Sequence, residues 1–313
     1  MKKQSDSDRP FIKCLLLGLD NGGKTSILLT LRNKFPHVIK LKPTKRIERT
    51  DLHVLGLPIK IWDMGGQKAY REEYLARKEY FEEVTLVVYV IDITDLSSFT
   101  ESMEYFEKIL DLFELLNTDP RILAFFHKAD PDIKDRAAIL KNVRDLKKQI
   151  TELPHALDIT VHETTILNPA SLNNIIVQNI LGLIPKGREL QDTFNEFMLK
   201  INSNAAILLD ENILIIAKAY RDEISGNIVQ TCGRNIAIMS EELRTDKHAI
   251  PEKIEIEMEG MVFFKTLEYE KSKFYLVVYT KTTESTILID YELPKFKEKL
   301  FTQLSFYDSI SPS

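Results

Sequence analysis

In the first half of the chain, short apolar runs alternate with amphipathic segments, which predicts strands and helices in turn. Apolar residues run from Phe11 to Leu17 and from Val84 to Ile91, as in strands buried on both faces. From Phe99 to Phe113, apolar residues recur every three or four positions, which predicts a helix. Further strands are predicted at 52–55, 59–62, 122–126 and 159–161, and further helices at 24–31, 133–153 and 172–183. This order predicts an α/β fold with a mostly parallel sheet.

The pattern changes after Pro185, Lys186 and Gly187, residue types that mark a boundary. Beyond them, strands are predicted at 206–209, 213–217, 254–258, 261–264 and 274–279, and helices around 190–201, 228–243 and 287–304. Pro294 lies inside the last segment, and we expect it to kink or restart that helix. The order predicts a smaller α+β domain with an antiparallel sheet, and therefore two domains, at 10–185 and 188–306.

The composition is that of an ordinary globular protein. Hydrophobic residues make up 44% and charged residues 28% of the 313 positions, which excludes a disordered or collagen-like chain. The net charge is -5, whereas a protein that binds mainly nucleic acid is usually basic. The two cysteines and six histidines have no metal-ligand spacing, so we expect a reduced, cytoplasmic setting.

Nothing in the sequence predicts a direct membrane anchor. No segment reaches the roughly 18 consecutive apolar residues of a membrane span. The first residues have no apolar signal core, position 2 is not glycine, and the last residues contain no cysteine for prenylation. Any attachment to a membrane is therefore expected to go through a partner.

The strongest chemical signal is the segment from Gly18 to Thr25, Gly-Leu-Asp-Asn-Gly-Gly-Lys-Thr, which fits the pattern of a phosphate-binding loop. It follows a predicted strand and opens a predicted helix, as this loop requires. Glycines let backbone N–H groups approach phosphate oxygens, and the helix N-terminus adds positive charge. Lys24 is expected to reach the β- and γ-phosphates, and Thr25 to bind Mg²⁺. The alternative is a chance glycine turn before a helix.

A second motif, Asp63-Met-Gly-Gly-Gln67, follows the strand that ends at Trp62. Asp63 at the carboxyl end of a strand can hold Mg²⁺ through water. Gly66 is expected to offer its N–H to the γ-phosphate, and loss of that phosphate would release the loop. Gln67 is expected to orient the attacking water.

Thr44, preceded by Lys42 and Pro43, lies between these two motifs in the chain. A threonine hydroxyl in this loop is expected to bind Mg²⁺ in the triphosphate state. The alternative is an ordinary exposed Pro-Thr turn.

The base is predicted to bind at the turn His127-Lys-Ala-Asp130, which follows the strand at 122–126. A carboxylate here can accept hydrogen bonds from N1–H and N2–H of guanine, which adenine does not offer, so Asp130 would select guanine. The stem of Lys128 is expected to lie along the purine ring. The alternative is that Asp130 or Asp132 caps the helix that follows.

These motifs resemble those of a known family. The phosphate loop, continued by Ser26, and the sequence Trp-Asp-Met-Gly-Gly-Gln are similar to those of Arf-type small GTPases. His-Lys-Ala-Asp in place of the usual Asn-Lys-x-Asp, the turn Thr-Thr-Ile at 164–166 and the α+β second half resemble the Rag/Gtr GTPases more closely.

The resemblance implies a small GTPase domain that binds GTP or GDP with Mg²⁺, followed by a roadblock-like, longin-related domain that dimerises. It implies catalytic roles for Gln67 and Lys24 and metal ligation by Thr25, Thr44 and Asp63. The nucleotide-binding residues that it implies are Asp20, Asn21, Gly22, Gly23, Lys24, Thr25, Ser26, Gly66, His127, Lys128, Asp130, Thr165 and Ile166. Regulators of the GAP and GEF type are expected, and the choice between homodimer and heterodimer stays open.

The leading hypothesis is a GTP-binding switch that hydrolyses GTP slowly. No built-in arginine finger is identifiable in the sequence, and such a group contributes about 10³–10⁵ in rate. The alternative is a nucleotide-locked scaffold that acts in dimerisation and partner docking. An adenine-nucleotide enzyme is disfavoured by Asp130.

Overall fold

The structure, a computed structural model, describes residues 11–32, 44–55, 57–184, 186–245, 253–270 and 272–310. The chain divides into two compact units, one mainly of residues 11–173 and the other mainly of residues 174–310. The predicted domain limits of 10–185 and 188–306 stay a prediction, and residues 10 and 185 lie outside the described residues.

The first unit is built on a six-stranded sheet in the order β2-β3-β1-β4-β5-β6. Its strands are β1 (Ile12–Gly18), β2 (Ile47–Val54), β3 (Leu57–Met64), β4 (Leu86–Asp92), β5 (Arg121–His127) and β6 (Ile159–Thr164). The pairs β1–β3, β1–β4, β4–β5 and β5–β6 are all parallel. This confirms the predicted α/β class with a mostly parallel sheet.

Within the described residues, five helices connect these strands or follow them: α1 (Lys24–Leu31), α2 (Lys68–Leu75), α3 (Phe99–Leu115), α4 (Ala137–Thr151) and α5 (Pro169–Leu183). Two single 3₁₀ turns lie at Lys78–Tyr80 and Leu96–Ser98. Helix α1 has the predicted limits, whereas the sequence did not predict α2. Helix α4 begins at Ala137 rather than near Ile133, because the residues from Asp130 onwards form hydrogen-bonded turns.

The topology of the sheet explains where a ligand would bind. All seven residues of β1 are buried, and α3 packs against β1 and β4. Strands β2 and β3 lie on one side of β1, and β4, β5 and β6 lie on the other, so the direction in which strands are added reverses at β1. Ligands of open α/β sheets bind at such a reversal, outside the carboxyl ends of the strands. The predicted motifs at 18–25, 63–67, 127–130 and 164–166 each lie at one of these ends, whereas Thr44 precedes β2.

Trp62, the single tryptophan of the chain, lies on β3 between two cations. Lys13 Nζ is 4.3 Å from the centroid of a Trp62 ring, and the guanidinium carbon of Arg49 is 4.2 Å from a ring centroid. The ring of Tyr80 meets Trp62 edge-on, with 6.1 Å between centroids. Trp62 is half-buried, which agrees with a packing role.

The second unit contains a five-stranded antiparallel sheet in the order β8-β7-β11-β10-β9. Its strands are β7 (Ala205–Asp210), β8 (Ile215–Tyr220), β9 (Lys253–Glu257), β10 (Met261–Tyr269) and β11 (Ser272–Thr280). Its helices are α6 (Gly187–Lys200), α7 (Glu223–Thr245) and α8 (Thr283–Ile310). This sheet is compatible with a roadblock-like domain.

Helix α7 packs on β7, β10 and β11, while α6 packs on β8 and α8. Helix α8 runs through Pro294 as one helix, so it does not restart there. Within the described ranges, none of the helices combines the length and apolarity that a membrane crossing needs.

Candidate functional site

The loop between β1 and α1 depends on two glycines with positive φ. Gly18 has a φ of +135°, and a Cβ there would lie 2.3 Å from the carbonyl oxygen of Val90. Gly23 has a φ of +98° and immediately precedes Lys24, the first residue of α1. Residues other than glycine rarely adopt such backbone angles. The two glycines therefore let the loop turn tightly at the end of β1.

A cavity of about 350 Å³ opens above this loop. The residues that line it come from all the main predicted motifs: Asp20, Asn21, Gly23, Lys24, Thr25, Ser26, Thr44, Gly66, Gln67 and Lys128. Each of them was a predicted nucleotide, metal or catalytic residue. Gly22 belongs to the same loop, whereas Asp63, His127, Asp130, Thr165 and Ile166 do not line the cavity.

Lys24 lies at the floor of the cavity with 5% of its surface exposed. Its Nζ donates hydrogen bonds to the carbonyl oxygens of Gly18, at 3.1 Å, and Leu19, at 2.6 Å. Burial lowers the pKa of Lys24 to about 8, although the carboxylate of Asp63 opposes this. A buried ammonium of this kind favours a nearby anion, such as a phosphate group.

The three predicted metal ligands meet at one point. Thr25 Oγ1 donates to Asp63 Oδ2 at 2.6 Å, and Thr44 Oγ1 donates to the same oxygen at 3.2 Å. The two hydroxyl oxygens are 2.7 Å apart. Strand β3 supplies the carboxylate, α1 supplies Thr25 in its first turn, and the segment before β2 supplies Thr44. The structure therefore joins three distant segments of the chain.

This cluster fits a magnesium ion. Asp63 is fully buried, yet its Oδ1 has no hydrogen-bond partner, and a buried oxygen of this kind is normally satisfied. Burial raises the pKa of Asp63, against the opposing hydrogen bond from Thr25 and the charge of Lys24. Hydroxyl and carboxylate oxygens are the ligands that Mg²⁺ prefers. Groups of three or more His, Cys, Asp or Glu suited to a metal are absent from the described residues.

Gly66 and Gln67 lie beside the phosphate loop. A Cβ on Gly66 would be 2.2 Å from the backbone nitrogen of Asp20, so only glycine allows this approach. The N–H of Gly65 donates to the carbonyl of Arg46 at 2.7 Å, which ties the loop to the start of β2. Gln67 precedes the first residue of α2, and its exposed side chain lines the cavity.

His127 is buried between the phosphate loop and β6. Its Nδ1 is 2.9 Å from Thr164 Oγ1, and a Cβ on Gly23 would lie 2.5 Å from its Cδ2. Burial lowers the pKa of His127 to about 4, and the nearby charge of Lys128 acts in the same direction. The imidazole is therefore neutral at physiological pH and packs directly on the loop.

Lys128, the first residue after β5, also lines the cavity. It has a φ of +63°, and its Nζ donates to Asp92 Oδ2 at 2.5 Å. Burial alone would raise the pKa of Asp92, but hydrogen bonds from Lys128 and Thr94 outweigh it and lower this pKa. The ion pair with Asp92 therefore holds the end of the Lys128 side chain beside the carboxyl end of β4.

Asp130 accepts a short hydrogen bond from the hydroxyl of Thr165. The turns that follow β5 and β6 are also joined through the backbone, since the N–H of Ala129 donates to the Thr164 carbonyl at 3.0 Å. Asp130, Thr165 and Ile166 are all half-buried. These three predicted base-binding residues are thus outside the lining of the cavity, whereas Lys128 of the same motif belongs to it.

The capping alternative for Asp130 is not what the structure shows. Helix α4 begins at Ala137, its N-cap position is Arg136, and no side chain caps it. The carboxylate of Asp130 points instead to Thr165.

The sequence did not identify three residues that contact the candidate site: Asp92, Thr164 and Arg71. Asp92 accepts hydrogen bonds from the N–H and the hydroxyl of Thr94. Its place at the carboxyl end of β4, next to the base motif in the sheet order, was a usable signal. Thr164 belongs to the predicted turn at 164–166, but no role was predicted for its side chain, and nothing local indicated the contacts of Arg71.

The chain was compared with known proteins. The ADP-ribosylation factor-like protein alp41 of Schizosaccharomyces pombe is 38% identical over 113 residues, which cover 36% of this chain and 58% of that protein. The ADP-ribosylation factor-like protein 3 of Chlamydomonas reinhardtii is 36% identical over 118 residues, which cover 38% of this chain and 63% of that protein. The chain thus spans about three-fifths of the length of these curated relatives.

The solved structure of the Arl6 BBS3 small GTPase from Trypanosoma brucei, with bound GppNp, is 19% identical. The similarity covers 52% of this chain and 91% of that chain, with a TM-score of 0.42. Residues 13–264 match the family described as the Gtr1/RagA G protein conserved region. That match spans well over half of the 313 residues, so the chain belongs to the Gtr1/RagA family of G proteins, as its motifs predicted.

Proposed function

We propose that this protein is a GTP-binding switch that hydrolyses GTP slowly with the help of Mg²⁺. The observation that carries the proposal is the meeting of Thr25, Thr44 and Asp63 around one point at the edge of the cavity. These residues belong to the phosphate loop and to the two segments that would sense a γ-phosphate. Membership of the Gtr1/RagA family supports the proposal.

The chain's own groups divide the work at the phosphate end. Lys24 holds a positive charge at the floor of the cavity and would turn from the loop carbonyls to the phosphates. Thr25, Thr44 and Asp63 would hold Mg²⁺, which when bound neutralises phosphate charge. Gln67 lines the cavity and would orient the water that attacks the γ-phosphate.

At the base end, the carboxylate of Asp130 would accept two hydrogen bonds from guanine. The hydroxyl of Thr165 donates to this carboxylate, and Lys128, which lines the cavity, is paired with Asp92. His127 stands where related loops carry asparagine, and it supports the phosphate loop by direct contact with Gly23. Thr165 and Ile166 would meet the edge of the base.

Slow turnover is part of the proposal. None of the cavity-lining residues in the described part of the chain is an arginine. An arginine that enters such a site contributes about 10³–10⁵ in rate. A partner of the GAP type would supply it, and a GEF-type partner would open the cavity for exchange.

The second unit would serve dimerisation and partner docking as a roadblock-like domain. Its support is the five-stranded antiparallel sheet and a row of exposed apolar side chains on α8, where Ile287 is 73% and Tyr291 is 65% exposed. Exposed apolar patches mark interaction surfaces. We further propose a cytoplasmic location, with any recruitment to membranes through a partner.

The decisive experiment identifies the nucleotide that copurifies with the protein and then titrates nucleotide-free protein with GDP, GTP and ATP. We expect binding of GDP and GTP that depends on Mg²⁺, no competition by ATP, and slow release of phosphate from GTP in a timed assay. Well-folded protein that gives no heat with GDP or GTP would refute the proposal. Tight binding of GTP without any hydrolysis over hours would favour the nucleotide-locked scaffold instead.

A further inference from the structure

Helix α2 buries only two side chains, Arg71 and Tyr74. Arg71 is 7% exposed, which is rare for an arginine unless it is paired. A helix of eight residues derives little stability from its own hydrogen bonds and depends on tertiary contacts. The contacts of Arg71 therefore decide much of where α2 lies.

The guanidinium of Arg71 is held on two sides. Its Nε donates to the carbonyl oxygen of Gly66 at 2.8 Å, and its Nη2 donates to Glu101 Oε1, in the first turn of α3, at 2.5 Å. The ring of Tyr105 lies 5.1 Å from the guanidinium carbon, within the range of a cation–π contact. Only the planar fork of an arginine can meet both acceptors in this way.

The contact with Gly66 matters because of the peptide group to which this carbonyl belongs. The carbonyl of Gly66 and the N–H of Gln67 share one planar peptide. The hydrogen bond from Arg71 therefore fixes the plane that joins the proposed γ-phosphate donor to the proposed water-orienting residue. Gly66 itself already lies against the phosphate loop at Asp20, so a rotation of this plane would move Gln67 relative to the cavity.

We propose that Arg71 is a positioning residue that holds the Gly66–Gln67 peptide in the orientation that GTP requires, with Glu101 as its fixed point on α3. The inference deepens the proposed function and rests on it, because it concerns the loop that would sense the γ-phosphate. GDP has no γ-phosphate and makes no use of this loop. The contacts of Arg71 therefore favour GTP over GDP and support hydrolysis, without a part in binding GDP.

A purely structural role for this pair would have a different effect. If Arg71 and Glu101 only stabilised α2 against α3, their loss would change the affinities for GTP and GDP by the same factor or would change neither affinity. The ratio of the affinities for a GTP analogue and for GDP separates the two roles, because only the positioning role changes it.

The test uses the full chain with two substitutions, Arg71→Lys and Glu101→Gln. Arg71→Lys keeps the charge but cannot reach both acceptors. Glu101→Gln removes the charge from a side chain that is 51% exposed and keeps its shape, so it leaves no buried gap. The matched control is Glu104→Gln, at an exposed glutamate of the same helix. Affinities for GDP and for a non-hydrolysable GTP analogue are measured with Mg²⁺, together with the single-turnover rate of GTP hydrolysis.

We expect Arg71→Lys to lower both the affinity for the GTP analogue and the hydrolysis rate by about tenfold, the effect of losing one charge-assisted hydrogen bond. Glu101→Gln should lower the same two quantities. The variant with both substitutions should lose no more affinity for the GTP analogue than the more affected single variant, because the two residues act through one contact. The affinity of every variant for GDP should stay within about twofold of the parent. The control should match the parent.

Two results overturn the inference in different ways. If the parent binds and hydrolyses GTP but Arg71→Lys and Glu101→Gln match Glu104→Gln, or lose GDP and GTP affinity equally, Arg71 has no positioning role and the proposed function stands. If the parent binds neither nucleotide, the proposed function fails and the inference fails with it. Should Arg71→Lys not fold, as judged by circular dichroism, the same criteria apply to Glu101→Gln alone.

Discussion

The hydroxyl of Thr25 lies 2.6 Å from the carboxylate of Asp63, although 38 positions separate them in the chain. The contact joins the first turn of α1 to the end of β3, and Thr44 joins it from a third segment. Because the other carboxylate oxygen of Asp63 is buried without a hydrogen-bond partner, the arrangement is more costly without a cation than with one. Metal and nucleotide binding are therefore expected to depend on each other.

Asp63→Asn should weaken the dependence of nucleotide binding on Mg²⁺. An amide keeps the shape of the side chain but loses the negative charge, and loss of such a group near a metal typically costs about 10–100-fold in metal affinity. The measurement is the rate of GDP release with Mg²⁺ and with a chelator. Asp51→Asn, at an exposed carboxylate on β2, is the control. Equal release from Asp63→Asn and the parent under both conditions would contradict the metal assignment.

Gly23→Ala should abolish nucleotide binding, whereas Gly22→Ala should have a much smaller effect. A Cβ at position 23 would lie 2.5 Å from His127 Cδ2 in a backbone with positive φ. At position 22 the nearest atom would be 3.3 Å away. Titration with GDP, after a check of the fold by circular dichroism, distinguishes the two. Similar affinities for both variants would show that the contact between the loop and His127 is unimportant.

Asp130→Asn should lower the affinity for GDP by about 10–100-fold and favour xanthosine diphosphate. The reason is that hydrogen bonds to a charged group contribute roughly 1.5–3 kcal/mol, and xanthine presents an acceptor that an amide can satisfy. Thr165→Val removes the hydroxyl that holds the carboxylate, so it should cause a smaller loss without a change of preference. Competition between the two diphosphates measures both. An unchanged GDP affinity in Asp130→Asn would place the base elsewhere.

Gln67→Leu should slow GTP hydrolysis at least about tenfold and leave GDP affinity unchanged, because the exposed glutamine acts only on the attacking water. Single-turnover release of phosphate is the measurement, and Lys68→Gln, at the exposed neighbouring position, is the control. A hydrolysis rate equal to that of the parent would assign the water to another residue.

Asp210 should make the folding stability of the protein depend on pH. Burial raises the pKa of Asp210 to about 7, against the hydrogen bonds that it accepts from Leu214 and Asn212. The carboxyl of Asp210 titrates near 3.8 in the unfolded chain, so the folded state binds its proton more tightly. The protonated carboxyl therefore contributes to the free energy of unfolding at low pH. This contribution is lost as the pH rises towards 7, by at most about 1.4 kcal/mol per pH unit.

The free energy of unfolding in urea, measured from pH 5 to pH 8, checks this expectation. Asp210→Asn should flatten the dependence relative to the parent, since the amide does not titrate. Glu211→Gln, at the exposed next residue, should leave the slope unchanged. If the free energy of unfolding of Asp210→Asn depends on pH as strongly as that of the parent, another group causes the dependence.

The features predicted from sequence are those that local chemistry determines. Helix α1 has the predicted limits because the glycine turn fixes its start, and β4 is close to its predicted range because its residues are continuously apolar. Helix α2 was not predicted because only Arg71 and Tyr74 are buried in it, so it has no apolar stripe. The start of β2 at Ile47 was missed because three of the first five residues of that strand are charged.

The contacts that could not be predicted are those between residues far apart in the chain. The pairing of Lys128 with Asp92 joins positions 36 apart, and the pairing of His127 with Thr164 joins positions 37 apart. Each requires the order of the strands in the sheet, which no single segment contains. The motifs identified the loops of the candidate site, whereas the contacts that hold those loops became visible only in the folded chain.

The lone indole of Trp62 gives the protein a built-in optical reporter. Its ring lies between the cations of Lys13 and Arg49 and directly precedes Asp63 along β3. Emission excited at the red edge of the ultraviolet band, where the 11 tyrosines absorb little, therefore comes from one indole whose residue adjoins Asp63 in the chain, and we expect it to report nucleotide loading on unlabelled material without a dye engineered into either loop.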